Sequence, residues 1–133
     1  MSKTAVMYFD GGVRDDKIAM GFVVYHVDDR SMVWFEDYGK CGTGTSNVAE
    51  YRGLLSGLAA CIKNRIDVVY IFSDSQLVTN QVNQVWKVRN DTLRKHRNKA
   101  LELLSHFKEW NISWVPREKN VYADRLVKLA FGG

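Results

Sequence analysis

Four acidic residues stand where an ordinary surface charge is not the obvious choice. Asp10 closes an apolar run, Asp74 follows another, and Glu50 and Asp124 fall in the first turns of segments with helical periodicity. Each has a local explanation, because acids in a helix's first turn favour the macrodipole and Asp after a strand often opens a turn. The alternative is that all four converge on one point. Carboxylates brought together cannot all stay ionised unless cations neutralise them, and hard oxygen donors select Mg2+ or Mn2+. Without metal, at least one member of such a cluster would have a raised pKa.

Convergence requires strand ends and helix starts to meet. Residues 3–9 are β-branched and aromatic enough for a strand, and Asp10-Gly11-Gly12 reads as the break that ends it. Residues 18–27 and 31–38 form two more strands across an Asp28-Asp29-Arg30 turn, an antiparallel meander. Residues 39–45 read as a small-residue loop, with Thr45 or Ser46 capping a helix over 46–64 whose stripe is Val48, Tyr51, Leu55, Leu58 and Ile62. Glu50, Gly53 and Gly57 share one face of that helix. Two glycines inside a helix cost stability, so this face is expected to lie close against the sheet.

Residues 67–72 are a short apolar run of the kind buried in a parallel or mixed sheet, completing a strand-helix-strand crossover. Ser73-Asp74-Ser75 then offers caps to a helix over 75–85, and residues 86–90 hinge it to a helix over 91–109 carrying Leu93, Ala100, Leu104 and Phe107 on one stripe. A last strand over 111–115, a loop over 116–119 and a terminal helix capped by Asn120, with Ala123, Leu126, Val127 and Ala130 inward, complete the order βββαβααβα. That order implies an α/β domain, a mixed five-stranded sheet with helices on both faces, whose ligands bind near strand ends.

The 133 residues suit a single domain over 1–133, and 46% hydrophobic with 26% charged residues is ordinary globular composition. One proline and ten glycines leave no linker to divide it. The MSKTAV start lacks a secretory signal and no run reaches the roughly 18–20 apolar residues of a membrane span, so a soluble, cytoplasmic protein is expected. Cys41 and Cys61 read as buried free thiols, and His26, His96 and His106 as structural or surface residues with no zinc-ligand spacing. Asn90 and Asn111 head chance matches to a glycosylation motif.

The net charge of +4 is a mild pointer to a polyanion, but its distribution says more. Residues 87–99 hold six Lys or Arg against the single acid Asp91, headed by Trp86. Such a run is often only a solvated helix face, yet an aromatic beside clustered cations is also a common grip on a nucleic-acid backbone. Trp86, Lys87, Arg89, Asn90 and Arg94 are the candidates for that grip.

Four motifs, YFDGG at 8–12, TSNVAEYRGLLSGL at 45–58, FSDSQLV at 72–78 and WVPREKNVYADRL at 114–126, give the chain a resemblance to the type 1 ribonuclease H family. The match runs nearly end to end. The resemblance implies that Asp10, Glu50, Asp74 and Asp124 are catalytic carboxylates binding two Mg2+ or Mn2+ ions, with Asp10 bridging them. It implies cleavage of the RNA strand of RNA/DNA hybrids to 5′-phosphate and 3′-hydroxyl ends, with double-stranded RNA a second candidate substrate. Glu50 would also meet the RNA 2′-hydroxyl, while Gly11, Gly12, Asn47 and Gln76 would contact the hybrid and the basic hinge its DNA strand.

The chain departs from the family's best-known members in one place. No histidine lies between Trp114 and Asp124, and the shortened loop resembles the compact archaeal-like version of the family. Arg117 and Glu118 are the candidates to take part of the histidine's role, against the plainer reading of loop-solvating charges. A catalytically dead binding protein, a junction resolvase or a reverse-transcriptase-linked domain are the competing readings. The complete set of carboxylates and the region implied to read the 2′-hydroxyl favour a stand-alone, monomeric hybrid nuclease.

Overall fold

The computed structural model describes residues 3–133 and contains one five-stranded sheet. β1 (Thr4–Arg14), β2 (Lys17–His26) and β3 (Asp29–Thr43) form the meander. Helix α1 (Ser46–Lys63) crosses to β4 (Val68–Ser73), and α2 (Gln76–Val82) and α3 (Asp91–Leu104) lead to β5 (Glu109–Trp114). A single 3-10 turn (Arg117–Lys119) then precedes α4 (Val121–Ala130). The order βββαβααβα stands as expected, and the sheet order is β3-β2-β1-β4-β5, with β4 parallel to both neighbours.

Several boundaries differ, each for a physical reason. The chain does not break at Asp10-Gly11-Gly12: β1 stays paired with β2 to Arg14↔Lys17 and turns at Asp15-Asp16, both at positive φ, the backbone a two-residue hairpin needs. β3 likewise runs on through the supposed loop to Thr43, because β2 offers ladder partners as far as Lys17. Its residues are mostly exposed, so no apolar alternation marks it. The meander's other turn sits at Val27-Asp28, two residues instead of three. Helix α2 stops at Val82 and α3 at Leu104, although Phe107 still reaches the core.

Helix α1 presses on one face of the sheet with α3 packed behind it, and α4 covers β1, β2 and β3 on the other. The core between α1 and the sheet holds Met7, Phe9, Tyr51, Leu54, Leu58, Val69 and Ile71, all at 0% exposure. The buried face of α1 is thus centred on Gly53, Leu54, Gly57 and Leu58, with Leu55 and Ile62 at its margin. Cys61 is buried in this core, which pushes its thiol up to about 12, whereas Cys41 on β3 is only half-buried. No helix among the described residues is long and apolar enough to cross a membrane.

The expected close approach of α1 is realised at its glycines. A Cβ on Gly53 would lie 2.6 Å from the backbone oxygen of Asp10, and one on Gly57 2.5 Å from the Met7 sulfur. Alanine would raise helix propensity by about 1 kcal/mol, but overpacking a tight contact costs about 1–3 kcal/mol. Because backbone cannot yield as a thioether can, Gly53→Ala should lower the urea midpoint clearly and Gly57→Ala less. Equal stability of Gly53→Ala and the parent in urea unfolding would refute this packing account.

Candidate active site

Asp10 and Asp74 come from neighbouring parallel strands. The last β1–β4 pair is Tyr8↔Phe72, and both aspartates stand two residues beyond it in matching register, Asp10 within β1 and Asp74 just past the end of β4. There the two chains part, β1 continuing along β2 and β4 turning at Ser75 into α2, whose first turn Ser75 caps. The gap between parting parallel strands is where α/β sheets bind ligands.

Glu50 reaches the same place from α1. It sits in the second helical turn, not the first, since the helix begins at Ser46 behind the Thr45 cap. Gly11 lets it arrive: a Cβ there would be 2.2–2.4 Å from backbone atoms of Ala49 and Glu50, and the Gly11 N–H donates to Glu50 Oε1 at 3.2 Å. Gly12 faces the opposite helix, 3.0 Å from Val127 by the same measure. Both glycines therefore pack strand against helix.

Asp10, Glu50 and Asp74 each offer a ligand oxygen within 4.8 Å of the other two. Asp124, in the first turn of α4, lies close enough to raise the Asp10 pKa but pairs with Lys128 at 3.1 Å and is outside the triad. The structure thus gathers three of the four predicted carboxylates and holds the fourth beside them.

Desolvation by burial pushes Asp10 up to about 6, helped by the charges of Asp74 and Asp124 and opposed by the adjoining Glu50 side chain and the Gly11 N–H. Burial, then the Asp10 charge, holds Glu50 well above the usual carboxylate range. Its Oε2 is buried without any hydrogen-bond partner. Three crowded oxygens, two raised pKa values and an orphaned carboxylate oxygen fit hard divalent cations: Asp10, Glu50 and Asp74 would hold them.

Asn120 is a site residue that sequence reasoning missed. It reads as a helix cap, yet its side chain makes no capping bond and is 2% exposed. Its Nδ2 instead donates to the Phe9 carbonyl at 2.8 Å and to Asp74 Oδ1 at 3.1 Å, tying the middle of β1 to the residue that follows β4. Trp114 adds an indole N–H to the Asp74 carbonyl at 3.2 Å. A signal existed in the sequence, Asn120 lying four residues before Asp124, but N-capping explained it adequately.

The remaining candidates are spread around this centre. Asn47 and Asn90 line one groove of about 390 Å3 with Thr43, Thr45, Thr92 and Leu93. Asn90 also caps α3, accepting from Leu93 N–H at 3.0 Å. Gln76 is exposed at the start of α2. Trp86, Lys87 and Arg89 are exposed on the linker between α2 and α3, whereas the Arg94 guanidinium binds Asp91 and the Val88 carbonyl and so fastens that linker. Arg117 and Glu118 stand exposed on the 3-10 turn, in no ion pair among the described residues. His26 packs on Trp34, His96 binds the Thr92 carbonyl and His106 is exposed.

The family model described as "Reverse transcriptase-like" matches residues 8–130. A bifunctional protein of Mycobacterium tuberculosis is 40% identical over 122 residues, 91% of this chain but 34% of its own length. The chain therefore spans about a third of that curated relative, and 62% of a ribonuclease HI of Halobacterium salinarum to which it is 36% identical. The crystal structure of ribonuclease H1 from Halobacterium salinarum superposes with a TM-score of 0.93 at 34% identity, covering 97% of this chain and 98% of that one. A ribonuclease H1 solved in complex with RNA/DNA hybrid matches at TM-score 0.86 and 28% identity, with 95% of each chain covered.

The crowding has a thermodynamic consequence in the metal-free protein. With a folded-state pKa near 6 against 3.8 for the free group, Asp10 binds more protons folded than unfolded between those values. Stability must then fall as pH rises from about 4 to about 6. Asp10→Asn removes the Asp10 share of this dependence, leaving that of Glu50, and should stabilise the metal-free protein at pH 8 by about 2–3 kcal/mol. Urea unfolding in EDTA across this pH range tests it, and an Asn variant no more stable than the parent at pH 8 would refute it.

Proposed function

Because the chain belongs to the type 1 ribonuclease H family, within the wider reverse transcriptase-like group, we propose that it hydrolyses the RNA strand of RNA/DNA hybrids. The observation that carries this is the carboxylate triad, with ligand oxygens within 4.8 Å and Glu50 Oε2 buried and unpartnered, where two parallel strands part. Asp10, Glu50 and Asp74 would hold two Mg2+ or Mn2+ ions, with Asp124 joining when it releases Lys128. Such ions, when bound, lower the pKa of the attacking water and stabilise the departing 3′ oxygen, which yields 5′-phosphate and 3′-hydroxyl ends.

The protein's own groups supply position and selectivity. Gly11 N–H and the Asn120 amide orient Glu50 and Asp74 through neutral donors, so the site keeps its full negative charge for cations. Glu50 would accept from a 2′-hydroxyl, the group that separates RNA from DNA, and Asn47 and Asn90, which line a groove near the start of α1, would contact the hybrid. The exposed Trp86, Lys87 and Arg89 suit the second strand's backbone. Arg117 and Glu118 keep the proposed assisting role in the loop that lacks a histidine.

Labelled hybrid, double-stranded RNA and double-stranded DNA offered with Mg2+ or Mn2+ test this reading. We expect cleavage of hybrid alone or of hybrid and double-stranded RNA, and a loss of about a hundredfold or more in Asp10→Asn, since even groups behind metal ligands are worth about 10–100-fold. Hybrid cleavage that survives Asp10→Asn, or cleavage confined to double-stranded DNA, would overturn it. Separately, Lys87→Ala and Arg89→Ala should each weaken hybrid binding and reduce the slope of log affinity against log salt by about one. An unchanged slope in both would remove the linker from the interface.

A further inference from the structure

On the sheet face opposite α1, beside α4, aromatic rings gather where no helix covers them. Tyr8 and Phe72 stack with centroids 5.3 Å apart, Tyr25 meets the edge of Tyr8 at 6.1 Å, and Tyr122 from α4 meets Tyr25 at 6.1 Å. A pocket of about 190 Å3 opens among Tyr8, Tyr25, Arg30, Lys119, Asn120 and Tyr122. Arg30 extends over this cluster, its guanidinium 5.5 Å from the Phe72 centroid and donating to the Tyr8 hydroxyl at 3.0 Å. Neither Arg30 nor Lys119 has an ion-pair partner among the described residues, and Glu36 accepts the Tyr122 hydroxyl at 2.9 Å.

We infer that this pocket is a second nucleic-acid site, one that takes a nucleotide of a single strand. The rings and the Arg30 plane offer stacking surfaces that accept any base, and the two cations flank them where a phosphate would lie. The pocket is open and is rimmed by the tyrosine rings and hydroxyls and the two cations. That lining suits a flat polar heterocycle carrying an anion better than an apolar peptide or an acyl chain. Aromatic residues on an uncovered sheet face, flanked by cations, are a general solution for holding unpaired bases.

The location gives the pocket a use. Asn120 forms one wall of the pocket and also donates to Asp74 Oδ1, so the carboxylate centre and the pocket share a side chain as partition. A single strand running on from a duplex seated at the carboxylates would meet Tyr122 and Lys119 on leaving it. The site therefore selects for hybrids with an unpaired extension over blunt ones. It stands apart from the basic linker, which belongs to the opposite side of the sheet with α2 and α3.

Binding is read in EDTA, independently of cleavage, by the anisotropy of fluorescein-labelled 12-mers of oligouridylate and oligothymidylate. Arg30→Glu and Tyr122→Ala, both at exposed positions, should each weaken binding about tenfold, the lower part of the range for one lost base stack. Arg30→Ala, with circular dichroism melts of all variants, guards against misfolding. Cleavage of a blunt hybrid should stay unchanged in all three, while the preference for a hybrid with a single-stranded overhang is lost. Unaltered oligonucleotide affinity in the folded variants would overturn the inference. So would binding abolished by Lys87→Ala with Arg89→Ala but untouched by Arg30→Glu, because the strand would then sit on the linker.

Discussion

Three carboxylates, on Asp10, Glu50 and Asp74, place oxygens within 4.8 Å of one another in a partly desolvated gap. Left alone they repel, and burial first, then that repulsion, raises the pKa values of Asp10 and Glu50. Folding must therefore supply enough packing elsewhere to force the three together. It does so by recruiting each from a different rigid element, β1, α1 and β4, whose backbones cannot swing apart without opening the core between Met7, Leu58 and Ile71.

The approach of α1 to β1 is what transmits this force. Gly11 on the strand and Gly53 and Gly57 on the helix remove the side chains that would hold the backbones apart, and the contact closes directly over Asp10 and Glu50. Glycine in a helix costs about 1 kcal/mol of propensity at each site, so α1 gives up intrinsic helicity in exchange for proximity. Cations, when present, would offset the remaining repulsion and so link metal binding to stability.

What could be read in the sequence and what could not divide along physical lines. The element order and the close glycine face follow from periodicities that are local in the chain, whereas the gathering of Asp10, Glu50 and Asp74 is what the family resemblance implies. β1 and β3 were cut short because Gly11, Gly12 and the exposed residues near 39–43 carry no strand pattern, and only pairing with β2 makes them strand. Glu50 reads as a first-turn acid, yet with α1 starting at Ser46 behind the Thr45 cap, as the sequence predicts, it falls in the second turn. Asn120 is legible in the sequence only as a helix cap, and the Tyr8, Tyr25 and Tyr122 cluster is not legible there at all. They depend on contacts between residues up to 111 positions apart in the chain.

Asn120 also explains how the carboxylates can be fixed without being neutralised. An Arg or Lys within hydrogen-bond reach of Asp74 would orient it equally well, but would lower its pKa and compete with a cation for its oxygens. A neutral amide and the Gly11 N–H do the orienting with partial charges only. The cation that is present, Lys128, engages Asp124, the one acid outside the triad. Formal positive charge is thus excluded from the three carboxylates and admitted only at the margin, which is the distribution a centre needs if mobile divalent ions, and not fixed side chains, are to balance it.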